Sequence, residues 1–110
     1  VKIFDTEDKF GSETDLLITD MEKASALADC LVDSDVALMR GHGATIYGRT
    51  LPEAVYRAIY AELNAQILLN SASMGTFKAL SVGECKATVE RISPQIGRAW
   101  DLWVREVERD

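Results

Sequence analysis

Apolar side chains at Met21, Ala24, Leu27, Ala28 and Leu31 recur every three or four positions, which predicts an amphipathic helix over residues 20–32 with one packed face. The pattern then changes. Val36-Ala37-Leu38-Met39 is a continuous apolar run of the kind found in strands covered on both faces, and Thr45-Ile46-Tyr47 offers a second strand after a glycine-rich turn. From Leu51 to about Ser73 a long helix is expected, with Pro52 in its first turn, where a missing N–H does no harm. Between Ala54 and Met74 its only charged side chains are Arg57 and Glu62, while Val55, Ile59, Tyr60, Leu63, Ile67 and Leu68 point to several sides. Such a helix needs cover on more than one side, here from another subunit or from a missing part of the protein. Tyr56 and Tyr60, four apart, are expected to pack side by side on it. A shorter helix after Ser81 and a longer one restarted by Ser93-Pro94 complete the pattern. The stripe Ile96, Trp100, Trp103, Val104 and Val107 on the last helix reads as core or interface surface. Val1 to Asp5 is strand-like and opens without Met, as in a chain entered partway through.

Three helix starts carry Ser or Thr followed three residues later by Glu, the pattern in which side chain and backbone satisfy each other's free donors. They are Thr19 with Glu22, Thr50 with Glu53, and Ser81 with Glu84. Their similar spacing is accidental, because the first interval contains strands and the second is almost wholly helical.

At 110 residues the chain is long enough for one domain. The balance of 12 basic against 18 acidic residues, a formal net charge of -6, argues against a nucleic-acid partner or an anionic membrane surface. No apolar run approaches the roughly 20 residues that span a bilayer, and no secretory leader pattern opens the sequence. Cys30 and Cys85 share no metal or redox spacing, so reduced thiols in a cytoplasmic protein are the expectation.

Candidate chemistry centres on Arg40-Gly41-His42-Gly43-Ala44-Thr45, where the only histidine stands between two glycines at a strand end. Flanking glycines let another group approach the imidazole closely, as a metal ligand or general base requires. An ordinary turn with a hydrogen-bonded histidine fits the same residues. One His and two scattered Cys do not make a complete zinc site, which takes three or four protein ligands. Glu62 falls on the 55, 59, 62, 66 face among apolar neighbours, where a carboxylate is costly unless paired. It reads either as an acceptor for an N–H near the His42 turn or as a buried structural carboxylate meeting an arginine such as Arg40 or Arg49. Glu53 and Arg57 read as an exposed i,i+4 ion pair.

Leu38-Met39-Arg40-Gly41-His42-Gly43, running into Tyr47-Gly48-Arg49-Thr50-Leu51-Pro52-Glu53-Ala54 and then Glu62-Leu63-Asn64-Ala65-Gln66, resembles the C-terminal half of the class II aldolase/adducin family. Phe10-Gly11 and Thr14-Asp15-Leu16-Leu17-Ile18 resemble a segment upstream of it. The likeness covers most of the chain and weakens after Met74. It implies an α/β fold, an α/β/α sandwich around a largely antiparallel sheet, with residues 1–110 as the C-terminal portion of one domain and the N-terminal half missing. It also implies a homotetramer and a divalent metal, most simply zinc, with His42 matching the family's last metal-binding histidine. The remaining ligands, a His-x-His pair, lie in that N-terminal half, as do the acidic catalytic residue and the phosphate-binding loops. The implied activity is that of a lyase performing aldol cleavage or decarboxylation of a small sugar phosphate or hydroxy-oxo acid through a metal-stabilised enediolate. Glu62 is the candidate carboxylate to accept an N–H beside the His42 turn, and the 110 residues alone are expected to be inactive. An adducin-like assembly module without catalysis is the alternative; the imidazole between glycines favours the enzyme.

Overall fold

The computed structural model describes residues 1–109 and is mixed α/β. It divides into two compact units, Val1–Gly48 and the segment from Arg49 onward.

The first unit holds β1 (Lys2–Phe4), α1 (Thr6–Phe10), α2 (Met21–Cys30), β2 (Val36–Met39) and β3 (Gly43–Ile46). The sheet order is β1-β2-β3. β1 runs parallel to β2 with Phe4 opposite Met39, while β2 and β3 form an antiparallel hairpin with Met39 opposite Gly43. The parallel pair needs a crossover, and α1 and α2 supply it, with α2 packing beside β1. Strand alternation sends Phe4, Ala37 and Met39 inward, where with Thr6 they are the buried residues among those described. Their neighbours Ile3 and Leu38 remain 75% and 45% exposed. The expectation that residues 36–39 are covered on both faces is therefore corrected. An apolar run does not by itself say that both faces are packed, and here one face stays open.

The caps also differ in part from expectation. α2 starts one residue later than the Thr19–Glu22 pattern predicts, because the Asp20 carboxylate accepts the Lys23 N–H at 2.8 Å and takes the capping role. The short α1 escapes a periodicity search, having only five residues; the Asp5 carboxylate caps it by accepting the Glu7 N–H at 2.9 Å.

The second unit is helical: α3 (Leu51–Ser73), α4 (Val82–Ile92), a 3-10 turn at Ser93–Gln95, and α5 (Ile96–Val107). Thr50 caps α3, accepting the Glu53 N–H at 3.3 Å, while the Glu53 carboxylate reaches back to the Arg49 N–H at 2.7 Å. Ser81 and Glu84 form the full reciprocal box at α4. α3 packs on α5 through its first half: Tyr56 stacks on Tyr60 at 4.4 Å and lies 6.1 Å from Trp103. The expected apolar stripe of α5 is half-buried at Ile96, Trp100, Trp103 and Val104, but Val107 is exposed. No described residue of this unit is fully buried, and Leu63, Ile67, Leu68 and Leu69 of α3 are exposed. No helix among the described residues is long and apolar enough to cross a membrane.

Candidate active site

His42 stands in the link between β2 and β3. β2 ends at Met39; Arg40, Gly41 and His42 turn the chain, and Gly43 opens β3. The His42 N–H closes the turn on the Met39 carbonyl at 3.1 Å, and the Arg40 N–H continues the β1 pairing onto the Phe4 carbonyl at 3.1 Å. Gly41 has φ +70, a left-handed conformation that a side chain resists. A β-carbon there would also stand 3.0 Å from Leu16 Cδ1. Leu16 is itself held at φ 65, with its N–H donated to Thr14 Oγ1 at 3.1 Å. The His42 side chain is exposed, and no hydrogen bond among the described residues fixes its ring.

Beside it, Arg40 donates through Nε to the Asp5 carboxylate and through Nη2 to Glu7 Oε2 at 2.9 Å. The Arg40 hydrogen bond holds the Asp5 carboxyl below its ordinary range, helped by the Glu7 N–H against a desolvation effect of opposite sign. The guanidinium is correspondingly raised, chiefly by its hydrogen bond to Asp5. One cation against two carboxylates leaves this trio with net charge -1. The sequence reading did not find these partners. The available signal was Asp5 after a strand-like run, followed by Glu7 and Asp8, the acidic first turn of a short helix.

Glu62 lies on α3 in the other unit. It is exposed, not buried, and its Oε1 accepts from Gln66 Nε2 at 3.3 Å. The expected burial is corrected: beyond Ala61 nearly all of α3 is exposed, and Arg40 meets Asp5 and Glu7 instead. The Glu53–Arg57 pair is present at 2.8 Å. Tyr56 and Tyr60 stack as expected, and burial, then the hydrogen bond to Tyr60, pushes the Tyr56 phenol up. Cys30 and Cys85 are free thiols.

Among the described residues no three His, Cys, Asp or Glu side chains converge as metal ligands. What the described residues offer a metal is a single corner, one exposed imidazole with no competing hydrogen bond among them, and not a complete donor set.

A family model, the class II aldolase and adducin N-terminal domain, matches residues 4–69, from β1 through most of α3 and across the histidine turn. The chain belongs to the class II aldolase and adducin family. A relative within reach of the family's sequence pattern is decarboxylase tropJ of Talaromyces stipitatus, 38% identical over 119 residues. That similarity covers 91% of this chain and 45% of the relative, so the chain spans less than half the relative's length.

Proposed function

We propose that this chain supplies part of a metal-dependent lyase site of the class II aldolase type, acting on a small hydroxy-oxo acid or sugar phosphate. Likeness to a decarboxylase favours loss of a carboxyl group over aldol cleavage. The observation that carries the reading is the Gly41-His42-Gly43 turn. It lies within the family match and presents the chain's single imidazole to solvent, with no hydrogen bond to it among the described residues.

His42 would bind a divalent ion, most simply zinc, through a neutral ring nitrogen, together with ligands from outside these 110 residues. Such an ion, when bound, polarises a substrate carbonyl as a Lewis acid. The turn holds the ring at the surface, where a ring nitrogen is open to an incoming ion. Arg40 is occupied by Asp5 and Glu7, so its charge is neutralised and does not repel a cation nearby. Glu62 is retained as a candidate accepting carboxylate. A homotetramer in the cytoplasm completes the proposal; the exposed apolar side chains of α3 and the free thiols support it.

In the intact protein, His42→Ala is expected to lose zinc and lyase activity together, with little change in melting temperature, since the side chain is exposed. Glu62→Gln is expected to keep most of the zinc. Full metal content in His42→Ala, measured by elemental analysis, would remove His42 from the site. An intact wild-type protein that assembles but binds no zinc and turns over no hydroxy-oxo acid would favour the adducin-like alternative.

A further inference from the structure

No hydrogen bond among the described residues fixes the imidazole of His42, so its position depends on the backbone that carries it. That backbone contains glycine at two of the three turn positions from 41 to 43, and glycine leaves the chain the widest conformational choice. A ligand must nevertheless be held close to its productive geometry before it binds, or ordering it consumes part of the binding energy.

We propose that Arg40 is a positioning residue for His42: forked between Asp5 and Glu7, it ties the end of β2 to the first turn of α1 and so steadies the turn that carries the imidazole. The inference rests on the reading of His42 as a ligand. Each joint in the chain of contacts is defined. Asp5 sits between Phe4 and Thr6, which are 2% and 4% exposed and anchor its backbone in the only fully buried part of the unit. It divides its two oxygens, Oδ1 accepting the Glu7 N–H to cap α1 and Oδ2 accepting Arg40 Nε. Glu7, one turn position further on, takes Arg40 Nη2 at 2.9 Å. The Arg40 backbone is held at the same point by its N–H to the Phe4 carbonyl at 3.1 Å. Backbone and side chain of Arg40 thus grip successive residues of one anchored segment, two positions before His42. A planar guanidinium has the shape to bridge two carboxylates; an ammonium makes a point contact. A role for Arg40 in binding a substrate anion is disfavoured by the same geometry, because both of its engaged edges already face carboxylates.

The test compares Arg40→Ala, Arg40→Lys, Asp5→Asn and the double variant Arg40→Ala/Asp5→Asn in the intact protein. Zinc affinity is read by chelator competition, kcat and KM are read separately, and melting is followed alongside. Loss of a residue that orients a ligand costs about 10 to 100-fold in metal affinity, and Arg40→Ala is expected in that range. Arg40→Lys should recover part of the loss, and adding Asp5→Asn to Arg40→Ala should cost no more than Arg40→Ala alone. A lower melting temperature with unchanged zinc affinity would make Arg40 merely structural and overturn the proposal. A rise in KM alone, with zinc affinity intact, would overturn it in favour of substrate binding. Loss of zinc in His42→Ala but not in Arg40→Ala refutes the positioning role only, whereas zinc retained in His42→Ala refutes the reading beneath it.

Discussion

Replacing Gly41 with Ala tests how tightly the histidine turn is built. Gly41 lies at φ +70, where an L side chain costs about 1–2 kcal/mol. The new β-carbon would also come within 3.0 Å of Leu16 Cδ1, well inside the roughly 3.5–4.0 Å of ordinary carbon contact. Leu16 has little room to yield, being half-buried with its own backbone at φ 65. Backbone cost and contact together come to about 2 kcal/mol. Trp100 and Trp103 both lie on α5, outside this unit, so tryptophan fluorescence is the wrong assay. Amide hydrogen exchange along Val36–Met39 is the right one. Exchange there should accelerate about 30-fold in Gly41→Ala. Adding Leu16→Ala to Gly41→Ala should recover part of the loss. No recovery, or a further loss, on removing Leu16 would refute the claim that Leu16 braces the turn.

Other consequences are as direct. Because pairing with Arg40 lowers the Asp5 pKa in the folded state, its stabilising effect is complete above the ordinary Asp value of about 3.9 and fades as pH falls through the lowered value. A carbon-detected NMR titration should show Asp5 moving upward in Arg40→Ala; an unchanged midpoint would contradict the pairing. Ser81→Ala removes half of the reciprocal cap of α4 and should cost that helix about 1 kcal/mol, seen as faster exchange at the Glu84 and Cys85 amides. The exposed apolar side chains of α3 should make the 110-residue chain self-associate and bind the dye ANS. A dye-silent monomer in light scattering would show that this surface needs no cover.

The long helix was legible to the residue because Thr50, Pro52 and an unbroken apolar period all point to one start. At α2 two adjacent residues, Thr19 and Asp20, are both competent caps, and sequence pattern does not rank them; the carboxylate prevails. The hairpin and its histidine were legible because glycine marks the turn. The partners of Arg40 were not, since they arrive from 33 and 35 residues away through a parallel pairing that no local pattern encodes. Glu62 was misplaced for a related reason: on a helix apolar nearly all round, periodicity does not say which side is packed, and the second half of α3 is open.

The two strand pairings of the sheet differ most in how far apart their partners lie in sequence. Met39 and Gly43 pair across four positions, whereas Phe4 and Met39 pair across thirty-five. Closing the longer loop costs about 2 kcal/mol more in chain entropy, by the logarithmic dependence of closure on length. Nearby contacts form first when a domain folds, so the hairpin bearing His42 should assemble early and the grip of Arg40 on Asp5 late. Pulse-labelled exchange during refolding should protect the β3 amides before those of β1, and the reverse order would contradict this. The imidazole is thus carried on a segment that the chain builds quickly and secures afterwards.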